Sequence, residues 1–270
     1  MIKQCKKICA LLIMSMLLVL SGCGQNGDEA AVVLKEGQSD LEYVKGKGTL
    51  VAGVTDYAPL DYRNGEEWIG FDVDLANVFA ESIGVKLELK EIDWNEKTEL
   101  LEEGTIDCIW NGMTLTKELQ ETISCSQPYL SNAQVLVLQK GDKEQYQTVE
   151  ACQHLLFAVE EGSTGEALLK EMNYRYSTYP TQREALQSVC DRKADAAVID
   201  IIMASYFTGE GQEFADLDFS ISLNDEKIGV GFRKKSDLTK RANEFLQTAY
   251  EDGTMRLLAD KYNIEEALKQ

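Results

Sequence analysis

Short apolar runs that end in a polar loop and give way to a helical pattern occur in two series along this chain, and that alternation constrains the fold more than any other feature. In the first series, residues 49–54 form an apolar strand stopped by Thr55-Asp56-Tyr57-Ala58-Pro59. Phe71, Leu75, Val78, Phe79 and Ile83 then share one helical face. Asp72 and Asp74 lie at the positive end of that helix's dipole, and Gly84 ends it. A strand over 85–92, a helix over 95–103 closed by Gly104, and a strand over 106–110 complete the series. The second series has strands over 155–159, 175–179 and 196–199, with helices to Met172 and over 181–190 between them. Parallel strands need such crossovers, so the expected fold is α/β with two lobes, each a mostly parallel sheet flanked by helices. Further strands are expected at 135–139 and 228–232, and helices from Leu238 and after Asp252-Gly253.

Ahead of this body, Lys3, Lys6 and Lys7 precede an apolar run over 8–20 that is too short to span a membrane comfortably and has the form of a secretory signal. It closes on Leu20-Ser21-Gly22-Cys23, which resembles the bacterial lipobox; the resemblance implies that Cys23 carries the lipid of the mature chain. Expected divisions are a signal peptide at 1–22, a tether at 23–46, one lobe at 47–136 to which 229–270 mainly returns, and a second at 137–228. Three lysines and no acids leave with the signal, taking the formal net charge from −19 to −22. Such a surface repels phosphate backbones, so nucleic acid is not an expected partner, and membrane attachment must rest on acyl chains. The remaining cysteines lack the paired spacing of a metal site and the only histidine is His154, so neither a metal nor a cofactor is expected. Cys108 and Cys125 read as core residues, and a bond between Cys152 and Cys190 is left open.

Open α/β sheets bind ligands at the carboxyl ends of their strands. Asp56, the loop Asn111-Gly112-Met113-Thr114, the turn Gly162-Ser163-Thr164-Gly165 and Asp200 all sit at such ends, and together they mark one crevice between the lobes. The free N–H groups opening a helix at Ser163 suit a carboxylate, while Glu160 and Glu161 oppose a multiply charged phosphate. Each feature alone also fits an ordinary helix cap or turn.

The ordered motifs Gly70-Phe71-Asp72-Val73-Asp74-Leu75, Asp93-Trp94, Gly112-Met113-Thr114, Pro128-Tyr129, Gly162-Ser163-Thr164-Gly165, Ala194-Asp195-Ala196 and Asp252-Gly253-Thr254 resemble those of the family 3 extracellular solute-binding proteins, the polar amino-acid receptors of ABC importers. The resemblance covers residues 47–264 and implies two lobes joined by two crossover hinge strands, near 135–139 and 228–232, closing over one amino acid. It assigns Gly112 and Thr114 to the ligand's α-amino and α-carboxyl groups, Thr164 and Gly165 to the carboxylate, and Asp200 to the ammonium. Trp94 becomes an aromatic wall, and Asp56, Tyr57 and Glu160 face the side chain. Where the family has an arginine on the carboxylate, this chain reads Thr116-Lys117-Glu118-Leu119. The expected carboxylate donors are then the amides of Thr164 and Gly165 with the hydroxyl of Thr114. Two carboxylates, Asp56 and Glu160, favour arginine, lysine, ornithine or glutamine over acidic amino acids. The expected function is capture of a polar amino acid by a monomeric, lipid-anchored receptor outside the cell membrane, which hands it to an ABC permease. No enzyme is expected, since nothing fixes a reacting atom. A sensory or scavenging module and a receptor for a non-amino-acid amine are the alternatives.

Overall fold

A strand that pairs with a parallel neighbour needs a helix to bring the chain back, and the computed structural model, which describes residues 37–268, builds both of its five-stranded sheets this way. The first runs in the order Lys86–Glu91, Thr49–Val54, Cys108–Ile109, Gly231–Phe232, Ser124–Cys125. Its first three strands are parallel and its last two join antiparallel. The second runs Arg175–Tyr179, Leu156–Glu160, Ala196–Asp200, Gln134–Gln139, Leu217–Ser222. It too is parallel in its first three strands and antiparallel in its last two.

The lobes are joined by a separate antiparallel pair, Leu130–Asn132 with Glu226–Ile228. This corrects the expected crossover at 135–139. Val135, Leu136, Val137 and Leu138 are all buried and belong inside the second sheet, so a division after residue 136 would cut a strand. Likewise Gly231–Phe232 belongs to the first sheet, and only Glu226–Ile228 crosses.

The helix Phe71–Ser82 covers the first sheet with a buried face that includes Phe71, Leu75, Ala76, Phe79 and Ala80. Phe79 meets Trp110 at 5.5 Å between ring centroids and Phe245 at 5.4 Å, so the late helix Leu238–Glu251 packs on the first lobe. At the other end, residues 40–46, expected in the tether, are folded as part of the helix Asp40–Lys47. Ser39 and Glu42 form its capping box, and Val44 is fully buried. Arg233 bonds Asp40 at 2.9 Å and Asp107 at 3.3 Å, tying this helix to the sheet. The expected signal segment at 1–22, Cys23 and residues 24–36 lie outside the described residues. Cys152 and Cys190 are free thiols. Among the described residues no helix is long and apolar enough to cross a membrane, and no group of three His, Cys, Asp or Glu could hold a metal.

Candidate functional site

The carboxyl ends of Thr49–Val54, Cys108–Ile109, Leu156–Glu160 and Ala196–Asp200 converge on one cavity of about 280 Å³. That is near the low end of the roughly 300–1,000 Å³ of small-molecule sites, so it suits one small solute. Tyr57, Trp94, Asn111, Gly112, Thr114, Glu160, Ser163, Thr164 and Asp200 line it; of these, Tyr57, Trp94 and Glu160 were expected from the family resemblance and the others from their places at strand ends. Two expected residues do not. Asp56 is exposed and lies in a different hollow with Tyr62, Arg183 and Glu213, because its neighbour Tyr57 is the residue that turns inward. Gly165 is buried at the start of the helix Thr164–Glu171; a Cβ there would lie 2.8 Å from Gln134 Oε1 and 3.1 Å from Val159, so the close packing leaves room only for glycine.

Gly112 is fixed by its surroundings. Its N–H donates to Asp72 Oδ2 at 2.7 Å, its φ is +55°, and a Cβ would lie 2.0 Å from the Tyr57 ring. The Asn111 amide is likewise taken: Nδ2 donates to Asp61 Oδ2 at 2.9 Å and to Thr55 O at 3.2 Å, and Oδ1 accepts from Thr55 Oγ1 at 2.7 Å. Asn111 therefore shapes the wall. Ser163 accepts from Glu166 N at 3.1 Å, which makes it the cap of the helix.

The electrostatics are lopsided. Asp200 is buried and accepts from Asn132 Nδ2, from Gln134 Nε2 at 3.0 Å and from Gln182 Nε2. Burial, followed by the Glu226 charge, pushes its carboxyl up to about 6. Burial, followed by the Asp200 charge, pushes Glu160 up to about 8. Burial, followed by the Asp200 charge, raises the pKa of the Tyr57 hydroxyl, which makes no hydrogen bond of ordinary geometry. Among the described residues Lys97 is the only cation lining the cavity. It lies 4.4 Å over the Trp94 ring and donates to Trp94 O at 2.8 Å; burial lowers its pKa to about 8 against the pull of Glu160. Leu119 reaches the cavity wall and packs with Ile109, Met113 and Ile123, leaving no guanidinium there.

Thr55, Lys97 and Gln182 line the cavity without having been expected. Gln182 opens the helix after the strand Arg175–Tyr179, a strand-end signal like the others, and Lys97 follows Trp94 by three residues. Glu226 and Gln134 lie just beneath, on and beside the crossover pair, where the strand-end rule gives no signal.

The family model for bacterial extracellular solute-binding proteins, family 3, matches residues 50–265. The chain is 27% identical over 232 residues to the arginine-binding extracellular protein ArtP of Bacillus subtilis, which spans 84% of this chain and 90% of that one. It is 29% identical over 181 residues to a cyclohexadienyl dehydratase of Pseudomonas aeruginosa, over 65% of this chain and 68% of that one. In structure it resembles the ancestral amino acid-binding protein AncCDT-1, a precursor of cyclohexadienyl dehydratase, with a TM-score of 0.78 and 28% identity, covering 83% of this chain and 99% of that one.

Proposed function

This chain belongs to the bacterial extracellular solute-binding proteins, family 3, and on that premise we propose that it captures an amino acid with a cationic side chain, arginine first, for delivery to an ABC permease. The observation that carries the side-chain choice is the charge imbalance of the cavity: Glu160 and Asp200 line it and Glu226 lies beneath, against the single cation Lys97. A buried carboxylate without a countercharge is costly, and an entering cation offsets that cost. Asp200 receives the ligand's ammonium. With Leu119 in place of an arginine, the carboxylate falls to the Thr164 hydroxyl and the first amides of its helix. Glu160 faces the guanidinium or ammonium of the side chain. Closure about the pair Leu130–Asn132 and Glu226–Ile228 brings the two walls together. The protein acts as a monomer held outside the membrane by a lipid on Cys23, and the signal at 1–22 is removed.

A thermal-shift panel of the amino acids tests this directly. Arginine, lysine and ornithine raise the melting temperature most, since a ligand at a hundred times its dissociation constant adds about 2.7 kcal/mol. A panel in which no amino acid stabilises the protein contradicts the proposal. An enzymatic reading has one observation behind it: Glu160, with its carboxyl near 8, is protonated at neutral pH and could act as a general acid, as one relative is a dehydratase. Turnover of a cyclohexadienyl compound by the purified protein would favour that reading; none is expected.

A further inference from the structure

Thr114 and Thr164 are two of the four threonines lining the cavity, and a hydroxyl can face a ligand as donor or as acceptor depending on where its single proton goes. We propose that Glu226 is a specificity-determining residue of this pocket: by taking the Thr114 proton it makes that hydroxyl an acceptor and, with Asp200, fixes the ammonium end, while Gln134 leaves Thr164 as a donor at the carboxylate end. The inference rests on the amino-acid reading above and deepens it.

Every hydrogen-bond partner of the buried Glu226 side chain donates to it. Oε2 accepts from Thr114 Oγ1 at 3.0 Å, from Asn132 Nδ2 at 2.9 Å and from Gln134 Nε2 at 3.2 Å, and Oε1 accepts from Asn224 Nδ2 at 2.9 Å. A carboxylate that only accepts leaves Thr114 as the donor, so this hydroxyl presents lone pairs to the cavity. On this inference Thr114 is an ammonium acceptor rather than the carboxylate donor expected from the sequence. The backbone is held by the same strand: Thr114 bridges Ile228, and Leu115 N donates to Lys227 O at 2.8 Å.

Gln134 has the opposite effect. Its Nε2 lies 3.0 Å from Asp200 Oδ1 and 3.2 Å from Glu226 Oε2, and two carboxylates can only face the nitrogen of the amide. The same nitrogen is 3.0 Å from Thr164 Oγ1, so Thr164 cannot donate there and its proton is left for the cavity. A ligand entering with its ends reversed would set an ammonium against a donor and a carboxylate against Asp200. Glu226 also sits on the crossover pair and binds Thr114 of the first lobe and Gln134 of the second, so the polarity is set where the lobes meet.

Glu226→Gln tests this in the full mature protein, with L-arginine, its deamino analogue 5-guanidinopentanoate and its decarboxylated analogue agmatine measured by competition calorimetry. The wild type prefers arginine to the deamino analogue; in the variant that preference falls at least tenfold, while the preference over agmatine changes less than threefold. A merely structural role would weaken all three ligands alike. A second readout is the pH profile. The charged or titratable groups facing Asp200 are Glu226, Glu160 and Tyr57, alongside the amides of Asn132, Gln134 and Gln182. Removing the Glu226 charge moves the acid loss of arginine affinity to lower pH. Should the variant not fold, Thr114→Ser keeps the ammonium preference and Thr114→Val loses it. An unchanged preference for arginine over its deamino analogue in Glu226→Gln, or in Thr114→Val, overturns the inference. Failure of the wild type to bind arginine is a different result, which contradicts the proposed function and takes this inference with it.

Discussion

Glu160 and Asp56 show what a single residue's position does and does not decide. Both lie at the carboxyl end of a strand, yet Glu160 is buried in the cavity wall and Asp56 is exposed beside Arg183. Strand ends are visible in the sequence; which side of a loop faces inward depends on packing, here of Tyr57 against Gly112. Gln182 was within reach of the same rule, and Glu226 was not, since its role comes from partners at sequence positions 114, 132 and 134. The buried setting of Glu160 has a measurable consequence. Its carboxyl is raised to about 8, so it holds a proton at pH 7 before a ligand enters. A cationic side chain favours the ionised form and lowers that pKa, so binding releases a proton in the window below pH 8. Calorimetry at pH 7 in two buffers of different ionisation enthalpy should show proton release with arginine and much less with citrulline. Equal proton release for both would mean that Glu160 does not meet the side chain.

Among the elements, the parallel strands and their helices were legible because period and punctuation agreed in each. The helix Asp40–Lys47 was not, although Ser39 and Glu42 spell its capping box, because its burial rests on Val44 and on the distant Arg233. The crossover was misplaced by a few residues because 228–232 is one apolar run that the fold divides between two sheets. Where the loops of the two lobes approach, Gly162 has a φ of +70°, and a Cβ there would lie 2.1 Å from Asn95 Oδ1. Gly162→Ala should therefore hold the lobes apart and weaken arginine binding about tenfold, roughly 1.4 kcal/mol. Backbone strain at positive φ, of about 1–2 kcal/mol in stability, is the competing cause. Adding Asn95→Gly separates the two effects: affinity recovers in the double variant if the collision across the cleft matters, and stays low if strain is the whole cause.

At the scale of the molecule, two mixed sheets bring four strand ends to one cavity, and the acids gathered there outnumber the one cation, Lys97. The formal charge of −19 says nothing about the site, since most of it is solvated surface. What points to a ligand is the local imbalance of buried Glu160, Asp200 and Glu226 against Lys97, with Leu119 leaving the carboxylate to uncharged donors. The direct test is titration calorimetry of the mature protein near pH 7.5 with L-arginine, agmatine and L-glutamate. The account predicts that arginine binds most tightly. Agmatine should be at least tenfold weaker, because the Thr164 hydroxyl and the helix-start amides lose their partner, and glutamate weaker still, because its second carboxylate enters an acidic wall. Glutamate binding as tightly as arginine, or agmatine equal to arginine, would contradict it.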